Sequence, residues 1–139
     1  SEALSGMAPT GWVTAVPYLD DMPRALAVAD LAVSRAGAMA TSEFLAWGLP
    51  AVLVPLPTAA GDHQRLNAEA LESAGAALNL PQAGLDGEGL WSGVLPLLTD
   101  PRGRAEMAGR ARERGRPGAA REIARSLALL TRSGRREAA

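Results

Sequence analysis

The stretch Ala51-Val52-Leu53-Val54-Pro55-Leu56 restricts the fold of this chain more than any other. It has no polar face and is bounded by Gly48-Leu49-Pro50 on one side and Pro57 on the other. A strand of this kind must be covered on both sides, which is the condition of a parallel strand inside an α/β sheet. The neighbouring segments keep the same rhythm. Leu31-Ala32-Val33-Ser34 and Ala76-Ala77-Leu78-Asn79-Leu80 read as further strands, and Trp12-Val13-Thr14-Ala15-Val16 as a short first one closed by Pro17. Helical patterns alternate with them. One runs from Met22 to Ala29 behind an Asp20 or Asp21 cap, with Pro23 in its first turn. A second runs from Met39 to Trp47 and stops at Gly48, with Ala40, Phe44 and Trp47 on one core-facing side. A third, capped by Asp62, reaches Ser73 and ends at Gly75. Residues 81–89 form a polar connection, and helices fill most of 90–133, broken near Pro101 and again around Gly115 to Pro117. The expected architecture is an open α/β sheet, with residues 1–133 as one lobe and 134–139 as a disordered tail.

Composition removes several classes of function. With Cys 0 and His 1, neither disulfides nor a protein-only zinc cluster is available. No metal and no cofactor is expected. No apolar run approaches the roughly 20 residues of a membrane helix, and "SEALSGMAPT" lacks the basic and apolar regions of a signal peptide. A cytoplasmic location follows as the expectation. The net charge of −1 conceals two unlike halves. Residues 1–100 are strongly acidic, whereas 101–139 are rich in arginine. A basic tail suits nucleic acid or an anionic membrane, but this one lacks aromatics to stack on bases, so it reads as a solvated helix face and no nucleic-acid partner is expected.

Ligands of open α/β sheets sit beyond the carboxyl ends of the strands, which draws attention to loops 17–21, 34–38 and 55–64. In "VSRAGAMATSE", Gly37 lets the backbone approach a ligand, and the Ala38 and Met39 N–H groups open a helix whose positive end suits a phosphate. Arg35 can add a charge-assisted bond. Glu43 can accept two hydrogen bonds from a ribose diol, or it can simply favour the positive helix end. In "GDHQRLNAEAL", His63, Gln64 and Asn67 gather near a helix start and offer the mixed donors and acceptors that suit sugar hydroxyls. The alternative is a polar, solvated first turn. His63 is the lone general-base candidate, with no orienting carboxylate beyond Asp62. In "PYLDDM", Tyr18 and Leu19 can flank a flat base, or staple the helix start.

The ordered set "YLDDM … VSRAGAMATSE … GLPAVLVPLP … DHQRLNA … GAA" resembles the C-terminal half of the MurG family, over about residues 10–80. Members of that family are inverting, metal-independent transferases that move N-acetylglucosamine from UDP-GlcNAc onto lipid I, giving lipid II for peptidoglycan. They have two Rossmann-like lobes, the GT-B fold. The resemblance implies a Rossmann-like parallel sheet with flanking helices, a partial C-terminal lobe that binds the donor. It places Leu19 against the uracil with Tyr18 beside it, and Arg35, Gly37, Ala38 and Met39 at the diphosphate. Glu43 takes the ribose hydroxyls, His63 and Gln64 the sugar hydroxyls, and Asn67 supports their loop. No catalytic residue is assigned in this chain. In the family the lobe opens with a strand and a Gly-Gly-Ser loop ahead of "YLDDM", and the base and acceptor groove lie in the other lobe. None of these is found in this sequence. The expectation is thus a hexosyltransferase lobe, inactive alone, that meets lipid I through the other lobe and contacts the inner face of the plasma membrane peripherally in the complete enzyme.

Other readings stand beside it. The lobe could serve another GT-B transferase with a lipid acceptor, or a non-catalytic nucleotide-sugar-binding module. Plant-type UDP-glycosyltransferases usually carry His-Cys-Gly where this chain has Ser34-Arg35-Ala36-Gly37, and the acidic catalytic set of a UDP-GlcNAc 2-epimerase is not recognisable.

Overall fold

A computed structural model describes residues 13–137. Asp21 accepts a hydrogen bond from the Arg24 N–H and starts α1 (Met22–Val28), with proline in the first turn as expected. The chain then alternates β1 (Ala32–Ser34), α2 (Ala38–Trp47), β2 (Ala51–Leu53), a 3₁₀ turn (Ala60–Asp62), α3 (His63–Ser73) and β3 (Leu78–Asn79). Three helices follow: α4 (Gly87–Thr99), α5 (Pro101–Arg114) and α6 (Ala119–Glu137). The strands lie in the order β1-β2-β3, both pairs parallel, with Val33 opposite Val52 and Val52 opposite Leu78.

The central strand behaves as its composition requires. Ala51, Val52 and Leu53 are buried, and Ala36, Phe44, Leu49, Ala68 and Ala77 close around it, with Leu26 and Leu71 at the margin. The ladder is shorter than the apolar run. The Val54 N–H still reaches the Ser34 carbonyl at 2.8 Å, but Pro55 has no N–H to give, and the chain leaves the sheet there. Gly48 stops α2 in the left-handed conformation (φ 64°), as expected for the residue that ends a helix.

Three expectations need correction. Thr14 to Val16 form no strand; Val13 and Val16 are exposed, because among the described residues no neighbour offers this segment a ladder, and an unpaired run does not hold as a strand. Trp12, the start of that segment, lies outside the described residues. Trp47 is 45% exposed, because it ends the last turn of α2 where the chain swings away at Gly48; only Ala40 and Phe44 of the proposed face reach the core. Asp62 does not cap α3 with its side chain: it sits at φ 58°, and its carboxylate turns aside to Arg65.

The last layer supports the site. Helix α5 packs along α2 through the small residues Ala108 and Ala111, followed by Gly115. A Cβ on Gly115 would stand 2.5 Å from the Leu45 carbonyl oxygen, so only glycine lets the two backbones come this close. The α4–α5 corner is closed by Arg104, which donates to the Leu97 and Leu98 carbonyls at 2.7 Å, and by Asp100, which accepts from the Arg102 N–H. α2 is thereby held between the sheet and α5, with its N-terminus pointing off the carboxyl edge of β1.

Candidate functional site

Gly37 has φ −66° and ψ 144°, an ordinary extended conformation, so no backbone strain calls for glycine here. What glycine leaves is room: a Cβ at this position would meet nothing within 4 Å. No side chain caps the start of α2. The first N–H groups of a helix have no intrahelical acceptor, so those of Ala38 and Met39 are donors without a side-chain cap. Ala38, Met39, Ser42 and Glu43 line an open cleft of about 370 Å³. Thr41, which is buried, turns its hydroxyl inward to the Gly37 carbonyl at 2.9 Å, and the Ser42 hydroxyl donates to the Ala38 carbonyl at 2.7 Å.

Glu43 is the decisive side chain. It is exposed, and among the described residues it has no hydrogen bond and no ion pair. It also lies beyond the first turn of α2, which holds no acidic residue, so the favourable field of the helix end is not what it serves. An unpartnered carboxylate facing the same cleft as free helix N–H groups suits a ligand with hydroxyls at one end and phosphate at the other.

The other candidates divide into struts and exposed residues. Arg35 donates through Nη1 to the Val54 carbonyl at 3.1 Å and to Gln82 Oε1. Asn67 Nδ2 donates to the Ala36 carbonyl at 3.0 Å, which ties α3 to the loop after β1. Gln64 Oε1 accepts from the Leu56 N–H at 3.0 Å and holds the loop after β2. His63 is exposed at the start of α3 and lies back over Gly61, where a Cβ would sit 2.9 Å from Nε2. Tyr18 and Leu19 stand 76% and 41% exposed ahead of α1 and line none of the described clefts.

Sequence reasoning missed Ser42, Thr41 and Gln82. Ser42 was findable, since it lies one helical turn from Ala38 and beside Glu43. Gln82 gave no signal, because its partner is 47 positions away. Gln82 also lines a second cleft of about 240 Å³ with Pro55, Leu56, Arg65 and Asn79. There, the Asn79 Oδ1 is buried without a partner among the described residues. Arg65 pairs with Glu69 and Asp62 in the lining of this cleft, and the hydrogen bonds it donates to Glu69 first and Asp62 second hold its guanidinium above the ordinary arginine range. Among the described residues no cluster of His, Asp and Glu is placed to hold a metal ion, and no helix is long and apolar enough to cross a membrane.

Comparison with known proteins follows the same line. The glycosyltransferase family 28 C-terminal domain matches residues 3–123. The chain is 51% identical over 115 residues to a UDP-N-acetylglucosamine–N-acetylmuramyl-(pentapeptide) pyrophosphoryl-undecaprenol N-acetylglucosamine transferase of Salinibacter ruber, covering 83% of this chain and 31% of that protein. It is 46% identical over 124 residues to the protein of the same name from Mycolicibacterium smegmatis, covering 89% and 32%. Among solved structures, Acinetobacter baumannii MurG superposes with a TM-score of 0.76 at 36% identity, over 88% of this chain and 35% of that one. The glycotransferase of kitacinnamycin gives a TM-score of 0.55 at 30% identity, over 73% and 26%. The chain thus spans about a third of the length of the relatives it matches. Its parallel strands with flanking helices are the architecture of the C-terminal lobe of MurG, and the chain belongs to the glycosyltransferase family 28 C-terminal domain family.

Proposed function

We propose that this chain is the donor-binding lobe of an inverting N-acetylglucosaminyltransferase, a hexosyltransferase that takes UDP-GlcNAc and glycosylates lipid I to give lipid II in peptidoglycan synthesis. The observation that carries this reading is the unpartnered Glu43 carboxylate beside the uncapped start of α2, in a chain of this family. Glu43 accepts from the ribose hydroxyls. The Ala38 and Met39 N–H groups, approached over Gly37, bind the diphosphate, with Arg35 adding positive charge. Leu19 and Tyr18 cover the uracil. His63 and the Gln64 amide nitrogen, which has no protein partner among the described residues, reach the sugar, and Asn67 keeps the loops in register.

Transfer needs more than this lobe. The acceptor hydroxyl must lose its proton to a base as it attacks the anomeric carbon and UDP departs, with both substrates held in attack geometry. We assign the base and the lipid I groove to a second lobe, and peripheral contact with the cytoplasmic face of the plasma membrane to the complete protein. Titration with UDP-GlcNAc, UDP-glucose and UDP tests the reading. Weak binding of UDP-GlcNAc, with chemical-shift changes at Ala38, Met39 and Glu43, is the expected result. The 139-residue chain should release no UDP with lipid I until an acceptor lobe is supplied in the same polypeptide. Acceptor-dependent release of UDP by this chain alone would return His63 as the base. A preference for UDP-glucose would move the assignment to another transferase of the same fold, a relation already visible in the kitacinnamycin enzyme.

A further inference from the structure

Three loops leave the carboxyl edge of the sheet, and one guanidinium touches all of them. Arg35 belongs to the loop after β1. Its Nη1 faces the Val54 carbonyl at 3.1 Å and the Pro55 carbonyl at 3.5 Å, both after β2, and Gln82 Oε1 at 2.5 Å, after β3. Nη1 carries two hydrogens, so the Val54 carbonyl and Gln82 take both. The N–H groups on Nε and Nη2 have no partner among the described residues. One edge of the guanidinium is bolted to the protein and the rest is left available.

We propose that Gln82 is a positioning residue of the donor site, which acts through Arg35 and fixes the loop that carries Gly37 and the start of α2. The fork of an arginine is planar and rigid, so fixing Nη1 by two acceptors sets the plane of the whole group. Without Gln82, Nη1 keeps only backbone carbonyls on one side, and the side chain gains freedom to rotate about its stem. The loop 34–38 is otherwise tied to the rest of the lobe by the ladder bond from the Val54 N–H to the Ser34 carbonyl and by Asn67 on the Ala36 carbonyl, and at its far end the Thr41 hydroxyl and N–H hold the Gly37 carbonyl. Supporting contacts of this kind are what hold a binding group within tenths of an ångström of its working position. Gln82 lines a different cleft from the one that Glu43 faces, so it does not serve by touching the ligand of that site.

The ligand part of this claim rests on the donor-site reading; the loop part does not. The test uses ¹⁵N-labelled 139-residue chain with Gln82→Ala and Gln82→Glu. Gln82→Ala should move the backbone amide resonances of Arg35 to Met39 while leaving those of α5 in place. It should weaken UDP binding roughly two- to tenfold, the effect of one hydrogen bond's worth of ordering. Gln82→Glu keeps an acceptor oxygen and should restore both. The proposal is overturned if Gln82→Ala leaves residues 35–39 unmoved, or if Gln82→Glu disturbs them as much as alanine does. Absence of UDP binding by the unaltered chain at millimolar concentration would refute the donor-site reading, and the amide shifts would still decide the role of Gln82.

Discussion

Ala38, Met39, Ser42 and Glu43 face an open cleft from the first turns of α2, while Arg35, Gln64 and Asn67, on the same edge of the sheet, are bonded into the backbone of neighbouring loops. All but Ser42 are residues that the sequence marks as ligand-binding. The difference lies in what satisfies them. Each strut answers a backbone group that leaves the ladder, such as the Leu56 N–H between two prolines, and such groups cost about 1–3 kcal/mol when buried and unpaired. Glu43 answers nothing within the protein. A polar residue in a loop cluster therefore becomes a ligand candidate when the backbone around it is already satisfied without it.

The sharpest test sets Glu43 against its neighbour Phe44. Phe44 is 9% exposed in the core beneath α2. Phe44→Ala should cost about 3–5 kcal/mol of stability in urea or thermal unfolding. Glu43→Gln is nearly isosteric and should leave the unfolding midpoint unchanged. It should instead lose UDP affinity worth about 1.5–3 kcal/mol, since a charged acceptor becomes a neutral one. Unchanged affinity with a lowered midpoint would place Glu43 among the struts and erase the distinction.

Asn67→Ala probes the other side. The Ala36 carbonyl belongs to a fully buried residue, so losing the Asn67 donor should cost about 1–3 kcal/mol of stability. UDP affinity should fall as well, because the loop that carries Gly37 loosens. A variant with full stability and impaired binding would make Asn67 a direct ligand contact.

The fold was readable because its signals are local. An apolar run that needs two covers, a glycine that stops α2 and an aspartate that caps α1 each act within a few residues, and each holds in the structure. The first strand failed for the opposite reason: β-propensity says nothing about whether a partner strand is present, and Val13 to Val16 have none among the described residues. The site was legible in its chemistry and not in its division of labour. That Glu43 is an acceptor near a helix start follows from spacing. That Asn67 and Arg35 are spoken for depends on partners 31 and 47 positions away, which no periodicity reveals.

The smallest effect is expected at Arg65. Its bonds to Asp62 and Glu69 resemble the struts in form, but all three side chains are about half exposed and the acceptors are carboxylates rather than backbone. Exposed ion pairs contribute little and are screened by salt. The arginine pKa is raised, by Glu69 and then Asp62, so any stability from this group is fully present below the ordinary arginine range and is lost only as pH climbs beyond it. Nothing from Arg65 should therefore vary between about pH 5 and about pH 9, far below the ordinary value. Arg65→Met should shift the unfolding midpoint less than Asn67→Ala does, and the shift should shrink as sodium chloride is raised. One feature argues for a larger role. Gly61 and Asp62 both take left-handed conformations, φ 60° and 58°, and for Asp62 that is a strained choice. If Arg65→Met proves as costly as Asn67→Ala and indifferent to salt, then Arg65 holds that turn in place, and it belongs with Arg35, Gln64 and Asn67 as a strut of the same edge.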